Sequence, residues 1–323
     1  MKLSRLSVLG ASALIAACGG GSGHLGGGLP STSTFDITSA NAATATRVSW
    51  EAMITSGNFG SLGGGIALTA SAPDGSAKPS PAAAAVSKVI NVIQMDPFGP
   101  LVLPCQSDGI ITLSGDVTDL ETLTVGDTYQ MTYESCDDGF GEVIDGIVDL
   151  EVREISGDLQ TDMFMLSMDA VMTDLQVATG TDTIVNNGDA TISLDTMQSP
   201  YVAAGTSGTS VTVDSNAGSE TLRNYATNQS IDGGREELPF TLSASGSLDS
   251  TELDGIVQYS TPVTFSGEGF AYPSAGSLLV EGENSSARLT AVDDVNVVIE
   301  VDANGDGVID DTINTTWASL TSS

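Results

Sequence analysis

Near the C-terminus the chain reads Asp302-Ala303-Asn304-Gly305-Asp306-Gly307-Val308-Ile309-Asp310-Asp311. Oxygen-bearing side chains stand at the first, third, fifth and ninth places, with glycine at the sixth. Calcium takes roughly six to eight oxygen ligands, and a glycine at the sixth place permits the tight bend that brings them together. Asp302, Asn304, Asp306, Asp310 and Asp311 are therefore candidate ligands for a calcium ion. The twelfth place, which normally carries a bidentate acid, is Ile313. Affinity would then be weak unless Asp310 or Asp311 turned inward or another loop contributed. The same string can also be a plain polar hairpin turn, because Asn-Gly and Asp-Gly between alternating strands are strong hairpin signals.

Other reaction chemistries find few residues to carry them. The one histidine, His24, lies in a glycine-rich stretch, so the folded part has no imidazole for Ser-His-Asp catalysis or histidine-ligated zinc. No glycine loop of the phosphate-cradling kind precedes a helix. A glycoside hydrolase needs two facing carboxylates, and the 42 acidic residues supply many candidates, but no spacing singles out a pair. Trp50, Trp317 and six tyrosines are too scattered to suggest a carbohydrate platform. No catalytic residue is assigned.

Three cysteines are present. Lys2 and Arg5 precede an apolar run from Leu6 to Ala17, the layout of a secretory signal and too short to span a membrane. The run closes on Ile15-Ala16-Ala17-Cys18, which resembles the bacterial lipobox. That resemblance implies cleavage before Cys18, acylation of its thiol and stable anchoring by two or more chains. Gly19 rather than Asp follows, which under the sorting rule of Gram-negative lipoproteins implies the outer membrane, facing the periplasm or the cell surface. Cys105 and Cys136 remain as an even pair in an oxidising compartment, most simply a disulfide. It would close a loop of about 31 residues and stabilise the fold by roughly 3–4 kcal/mol on the chain-entropy model.

Removing the first 17 of 323 residues leaves 306, enough for one large or two small domains. Lys2 and Arg5 leave with the signal, so the mature chain has 7 basic against 42 acidic residues, a net −35. Such a field repels phosphate backbones, excludes nucleic acid as a partner and favours cations or basic partners.

The positioning elements read as follows. Residues 18–46 form a tether rich in Gly, Ser and Thr, with a random-coil reach of about 30 Å. Val48 to Ile54 reads as a first strand and Leu62 to Ala70 as a second. Ser80-Pro81 opens a helix near residues 82–95, with Val86, Val89, Ile90 and Ile93 on one face. From Gly109 the period becomes two. Tyr129, Met131 and Tyr133 alternate with polar residues, as do Val148, Leu150 and Val152. Phe164, Leu166, Met168, Ala170 and Met172 form the longest ladder, and shorter ones follow at 192–194, 211–213, 240–244 and 287–291. The last ladders are Val295 to Val301, then Ile309, Ile313 and Trp317. Strict alternation with turn residues between predicts half-buried antiparallel strands. A dozen or so of them in one domain over 47–323 predicts an all-β fold: a sandwich, a barrel or a strongly curved sheet. The string Asp-Gly-Ile recurs at 108–110, 145–147 and 254–256 and marks strand openings or interruptions.

The segment from Cys105 through Gly126-Asp127-Thr128 to Cys136, and the tail from Gly276 to Thr316-Trp317-Ala318-Ser319-Leu320, resemble a group of uncharacterised proteobacterial lipoproteins. The resemblance covers about a third of the chain and implies a tethered antiparallel domain with no established activity. The functional expectation is a non-enzymatic structural or interaction module held to the outer membrane by Cys18. The alternative is a carrier: a curved sheet clasping the helix near 82–95 around an apolar cavity for lipid or another hydrophobic ligand. The methionines at 163, 165, 168 and 172 would make its pocket adaptable.

Overall fold

The structure is a computed structural model; it describes residues 33–60, 100–118, 123–137, 142–158, 163–180, 182–197, 201–216, 218–234, 238–269 and 271–321. Cys18, the tether up to residue 32, the expected strand at 62–70 and the expected helix near 82–95 lie outside these residues.

Among the described residues fourteen strands form one antiparallel sheet in which each strand pairs with its neighbours in sequence. They are β1 (Leu101–Pro104), β2 (Asp108–Asp116), β3 (Thr128–Asp137), β4 (Glu142–Asp158), β5 (Met163–Thr179), β6 (Asp182–Asp195) and β7 (Tyr201–Ser215). There follow β8 (Gly218–Asp232), β9 (Pro239–Ser250), β10 (Gly255–Glu268), β11 (Ala275–Glu281), β12 (Ser286–Ala291), β13 (Asn296–Asp302) and β14 (Asp311–Thr316). Among the described residues no ladder joins β14 back to β1, so the sheet is open. The all-β, antiparallel expectation holds, and of its three forms the curved sheet is the one observed.

Alternation explains the pairing. In β5 the ladder Phe164, Leu166, Met168, Ala170 and Met172 is buried, while Met163, Val171 and Asp174 are exposed. Tyr129, Met131 and Tyr133 of β3 and Val148, Leu150 and Val152 of β4 turn to the same side. A one-residue slip anywhere would exchange the two faces, which fixes the register.

Among the described residues two helices sit with the sheet: α1 (Ala42–Gly60) and the short α2 (Trp317–Thr321). The first corrects the expected strand at Val48–Ile54. Val48, Ser49 and Trp50 are all buried, and so are Ala42, Ala45, Ala52 and Met53. A helix buried on nearly every side carries no apolar stripe, which is why its pattern could be mistaken for strand alternation. The tether boundary expected at residue 46 also moves. Ser33 and Ile37 are already buried, and the chain is clamped there by backbone bonds from Thr34 N–H to the Ile256 carbonyl and from Glu283 N–H to the Phe35 carbonyl, each 3.0 Å. At the other end, Trp317 opens α2 rather than continuing a strand, and Ile309 is exposed in the loop before β14.

Helix α1 packs against strands β6 to β9 and β11 to β13 and against α2. A helix is about 10 Å across, and eight adjacent flat strands would span about 34 Å. Strands β6 to β9 and β11 to β13 all meet one helix because the sheet curls around it. A row of bulges makes that curl. Register shifts stand at Ser135 in β3, Gly146 in β4, Asp174 in β5, Gly188 in β6 and between Arg223 and Ala226 in β8. Bulges bend and twist the strands that carry them. Two of the three Asp-Gly strings lie within strands, opposite such bulges, where they interrupt the ladder. Gly109 and Gly146 have φ of 81° and 114°, and a Cβ on either would lie 2.0 and 2.3 Å from a carbonyl oxygen of the next strand. Only Asp254-Gly255 marks a true turn, between β9 and β10.

Candidate functional site

Asp302 ends β13 and is buried, and the loop that follows folds back onto it. Its Oδ1 accepts the N–H groups of Gly305 (2.8 Å) and Asn304 (3.4 Å), and its Oδ2 accepts that of Gly307 (2.9 Å). Asn304 Oδ1 accepts the Asp306 N–H, and Asp306 Oδ1 accepts the Val308 N–H, both at 2.9 Å. Asp310 Oδ2 accepts the Ala303 N–H at 2.8 Å, closing the loop. Desolvation pushes the Asp302 carboxyl up, but the N–H donors of Gly307, Gly305 and Asn304 outweigh it and hold it below the ordinary carboxylate range.

The fold thus gathers Asp302, Asn304, Asp306 and Asp310 into one loop. Asp311 stands apart as the first residue of β14, paired with Val301, its Oδ1 accepting the Thr312 N–H. Ile313 pairs with Ile299 as an ordinary strand residue. Among the described residues no three His, Cys, Asp or Glu side chains converge closely enough to hold a metal ion. The loop oxygens are spent on the loop's own N–H groups, the bonding of a self-sufficient hairpin connection.

The disulfide expected between Cys105 and Cys136 is formed, with Cα atoms 5.4 Å apart. It ties the end of the four-residue edge strand β1 to β3 across β2.

Two further charged groupings emerge only in three dimensions. One lines a shallow groove of about 640 Å³ along β2 to β5, where Gln130, Asp149, Glu151, Arg153 and Asp169 gather. Arg153 binds Glu151 (2.6 Å) and Asp169 (2.5 Å), and Gln130 donates to Asp149 (2.7 Å). Each carboxylate there is engaged, Asp169 through both oxygens because its Oδ1 also accepts the Thr191 hydroxyl at 2.7 Å, and exposed pairs of this kind contribute little to stability.

The other lies where α1 meets the sheet. Arg47, only 8% exposed, donates to Glu51 Oε2 at 2.7 Å and to Glu252 in the β9–β10 turn. Glu220 of β8 stands beside them, half-buried. Burial first, then the charges of Glu51 and Glu252, push the Glu220 carboxyl up to about 7 against the opposing pull of Arg47. Three carboxylates thus share one guanidinium. Arg47 and Glu51 lie four apart on α1, but Glu220 and Glu252 come from β8 and the β9–β10 turn far along the chain, and nothing in their sequence spacing signals that they join the pair.

The interior between α1 and the sheet is aromatic and closed. Trp50 lies 4.6 Å from Trp317 and 5.0 Å from Phe265 between ring centroids, and Tyr272 stacks on Trp317 at 5.5 Å. The Trp317 indole N–H donates to the Pro273 carbonyl at 3.1 Å. Farther along α1, Ser56 Oγ meets Thr227 Oγ1 at 2.6 Å, and Gln229 donates to the Gly57 carbonyl at 3.2 Å. No helix among the described residues is long and apolar enough to cross a membrane. No protein-family model, curated protein or solved structure matches the chain.

Proposed function

We propose that this chain is a non-enzymatic structural or interaction module, anchored to the outer membrane through an acylated Cys18. The observation that carries the reading is the filling of the sheet's concave side by α1. Val48, Trp50 and Met53 occupy the space that a carrier would leave open for its cargo, and each is at most 1% exposed. Met168 and Met172, which would line a carrier's pocket, are packed in the core. Close packing of this kind leaves little room for a lipid chain where α1 meets strands β6 to β9 and β11 to β13. The 35 surplus negative charges of the mature chain suit a cationic or basic partner rather than nucleic acid. The acidic loop at 302–311 supports at most a weak calcium site that steadies β13 and β14.

The test is mass spectrometry of the protein extracted gently from its own membranes. The expected result is an acylated N-terminal Cys18 and no further hydrophobic molecule in molar proportion. One mole of lipid or another apolar ligand per mole of protein would replace this reading with the carrier. An N-terminus without acyl groups would remove the anchor.

A further inference from the structure

The acidic loop is satisfied by its own N–H groups, and the groove beside Arg153 is an open, paired surface. The cluster between α1 and the sheet is different, because it holds more negative charge than its single cation can balance, at the joint that keeps the helix in place.

We propose that Arg47, Glu51, Glu220 and Glu252 form a proton-operated latch that holds α1 in the concavity, closed when one carboxylate carries a proton and loosened when all three are ionised. The geometry sets the argument. Arg47 is the only cation α1 offers, and its two ends are taken by Glu51 on the same helix and Glu252 in the β9–β10 turn. Glu220 faces inward with Leu222 on β8, cross-strand from Val213 of β7 and Ser250 of β9. The next charges along these strands, Arg223 and Asp249, are engaged with each other at 3.1 Å and supply nothing to it. Glu220 therefore has only the partial pull of Arg47, whose guanidinium already binds Glu51 and Glu252. A half-buried carboxyl in that position takes a proton while the joint is closed. Its elevated proton affinity, about 7 against an ordinary carboxylate value, agrees with that placement.

The sign follows from linkage. A proton held more tightly closed than open favours the closed form below the ordinary carboxylate value, and this preference is lost as pH rises through about 7. Between pH 5 and pH 8.5 the open fraction should rise about 70-fold at the full shift and about five-fold if solvent screening halves it. Opening would uncover the apolar concavity lined by Trp317, Phe265 and Leu222, so the latch would regulate access to the surface that α1 covers.

Amide hydrogen exchange of residues 45–54 tests this in the full mature protein, each rate divided by its intrinsic value at that pH. The expected result is at least a five-fold loss of protection in α1 from pH 5 to pH 8.5, with strands β3 to β5 unchanged. Glu220→Gln should flatten that dependence to under two-fold, because the amide mimics the protonated acid. Glu51→Gln, which removes one repelling charge, should flatten it in part and keeps the test open if Glu220→Gln fails to fold. A flat wild-type profile, or wild-type behaviour in both variants, overturns the latch.

Discussion

Replacing Trp50 by alanine is the most direct test of a filled concavity. The ring is 1% exposed and lies between Trp317, at 4.6 Å, and Phe265, at 5.0 Å and nearly perpendicular. Removing a buried tryptophan costs about 3–5 kcal/mol through lost transfer energy and the cavity left behind. The edge-to-face contact adds about 0.5–1.5 kcal/mol beyond area. A cost near 4 kcal/mol would be a large part of a stability of about 5–15 kcal/mol and would change the folded-to-unfolded ratio roughly a thousand-fold. The assay is urea unfolding followed by the fluorescence of Trp317, which the substitution leaves as the sole indole. Trp50→Phe should keep the perpendicular contact and lose less than half as much. A Trp50→Ala cost below about 1 kcal/mol would mean that α1 does not fill the curve of the sheet, and the carrier would regain its space.

Four further outcomes follow from the same contacts. Reducing Cys105–Cys136 should cost up to about 3–4 kcal/mol from the 31-residue separation, and exchange should quicken first in β1; equal quickening in β6 to β9 would contradict a local staple. Asp127 is buried and accepts the N–H groups of Thr118 and Thr124, both at 2.8 Å. Burial pushes its carboxyl up, but those donors outweigh it and hold it below the ordinary value. Asp127→Asn should therefore cost about 1–3 kcal/mol at pH 7, and the gap should close as pH falls through the folded value; a gap that widens in acid would refute the assignment. Should the 302–311 loop still bind calcium, with a dissociation constant of about 1 mM typical of weak sites, 10 mM calcium would add about 1.4 kcal/mol in thermal melts. That gain should vanish in Asp302→Asn, and an unchanged wild-type melt removes the metal. Gly146→Ala should destabilise by more than 1 kcal/mol, because its φ is 114° and a Cβ would lie 2.3 Å from the Asp174 carbonyl oxygen; a neutral result by denaturant titration would argue against the bulge.

Period two was legible because each side chain in a meander has one job, facing in or out. Phe164 to Met172 and Ala287 to Ala291 show that alternation directly, and the turn residues between them separate the strands. What stayed hidden depends on tertiary context. In α1, Val48, Trp50, Ala52 and Ile54 alternate as a strand would, and only the curled sheet around them makes the helix the better way to bury all four. The Asp-Gly strings read as strand openings or interruptions, and the sequence cannot distinguish a glycine that reverses the chain from one that lets a strand pass close to its neighbour's carbonyl. The acidic loop was legible as a string of oxygens. Its bonding was not, since Asp302 can accept from the Gly305 and Gly307 N–H groups only after the loop has folded back.

The latch residues show why composition can mask a site. Among 42 acids, Glu51, Glu220 and Glu252 carry no local mark, and the strong net charge invites the view that all of them simply keep the surface solvated. Solvation is what Glu220 lacks. A carboxylate at the surface loses little by standing near two others, because water screens them, whereas one drawn in beside a helix loses its hydration and feels its neighbours more strongly. An acidic chain therefore has most to reveal where an acid is buried, and Arg47, at 8% exposure the most enclosed charge facing it, marks that place.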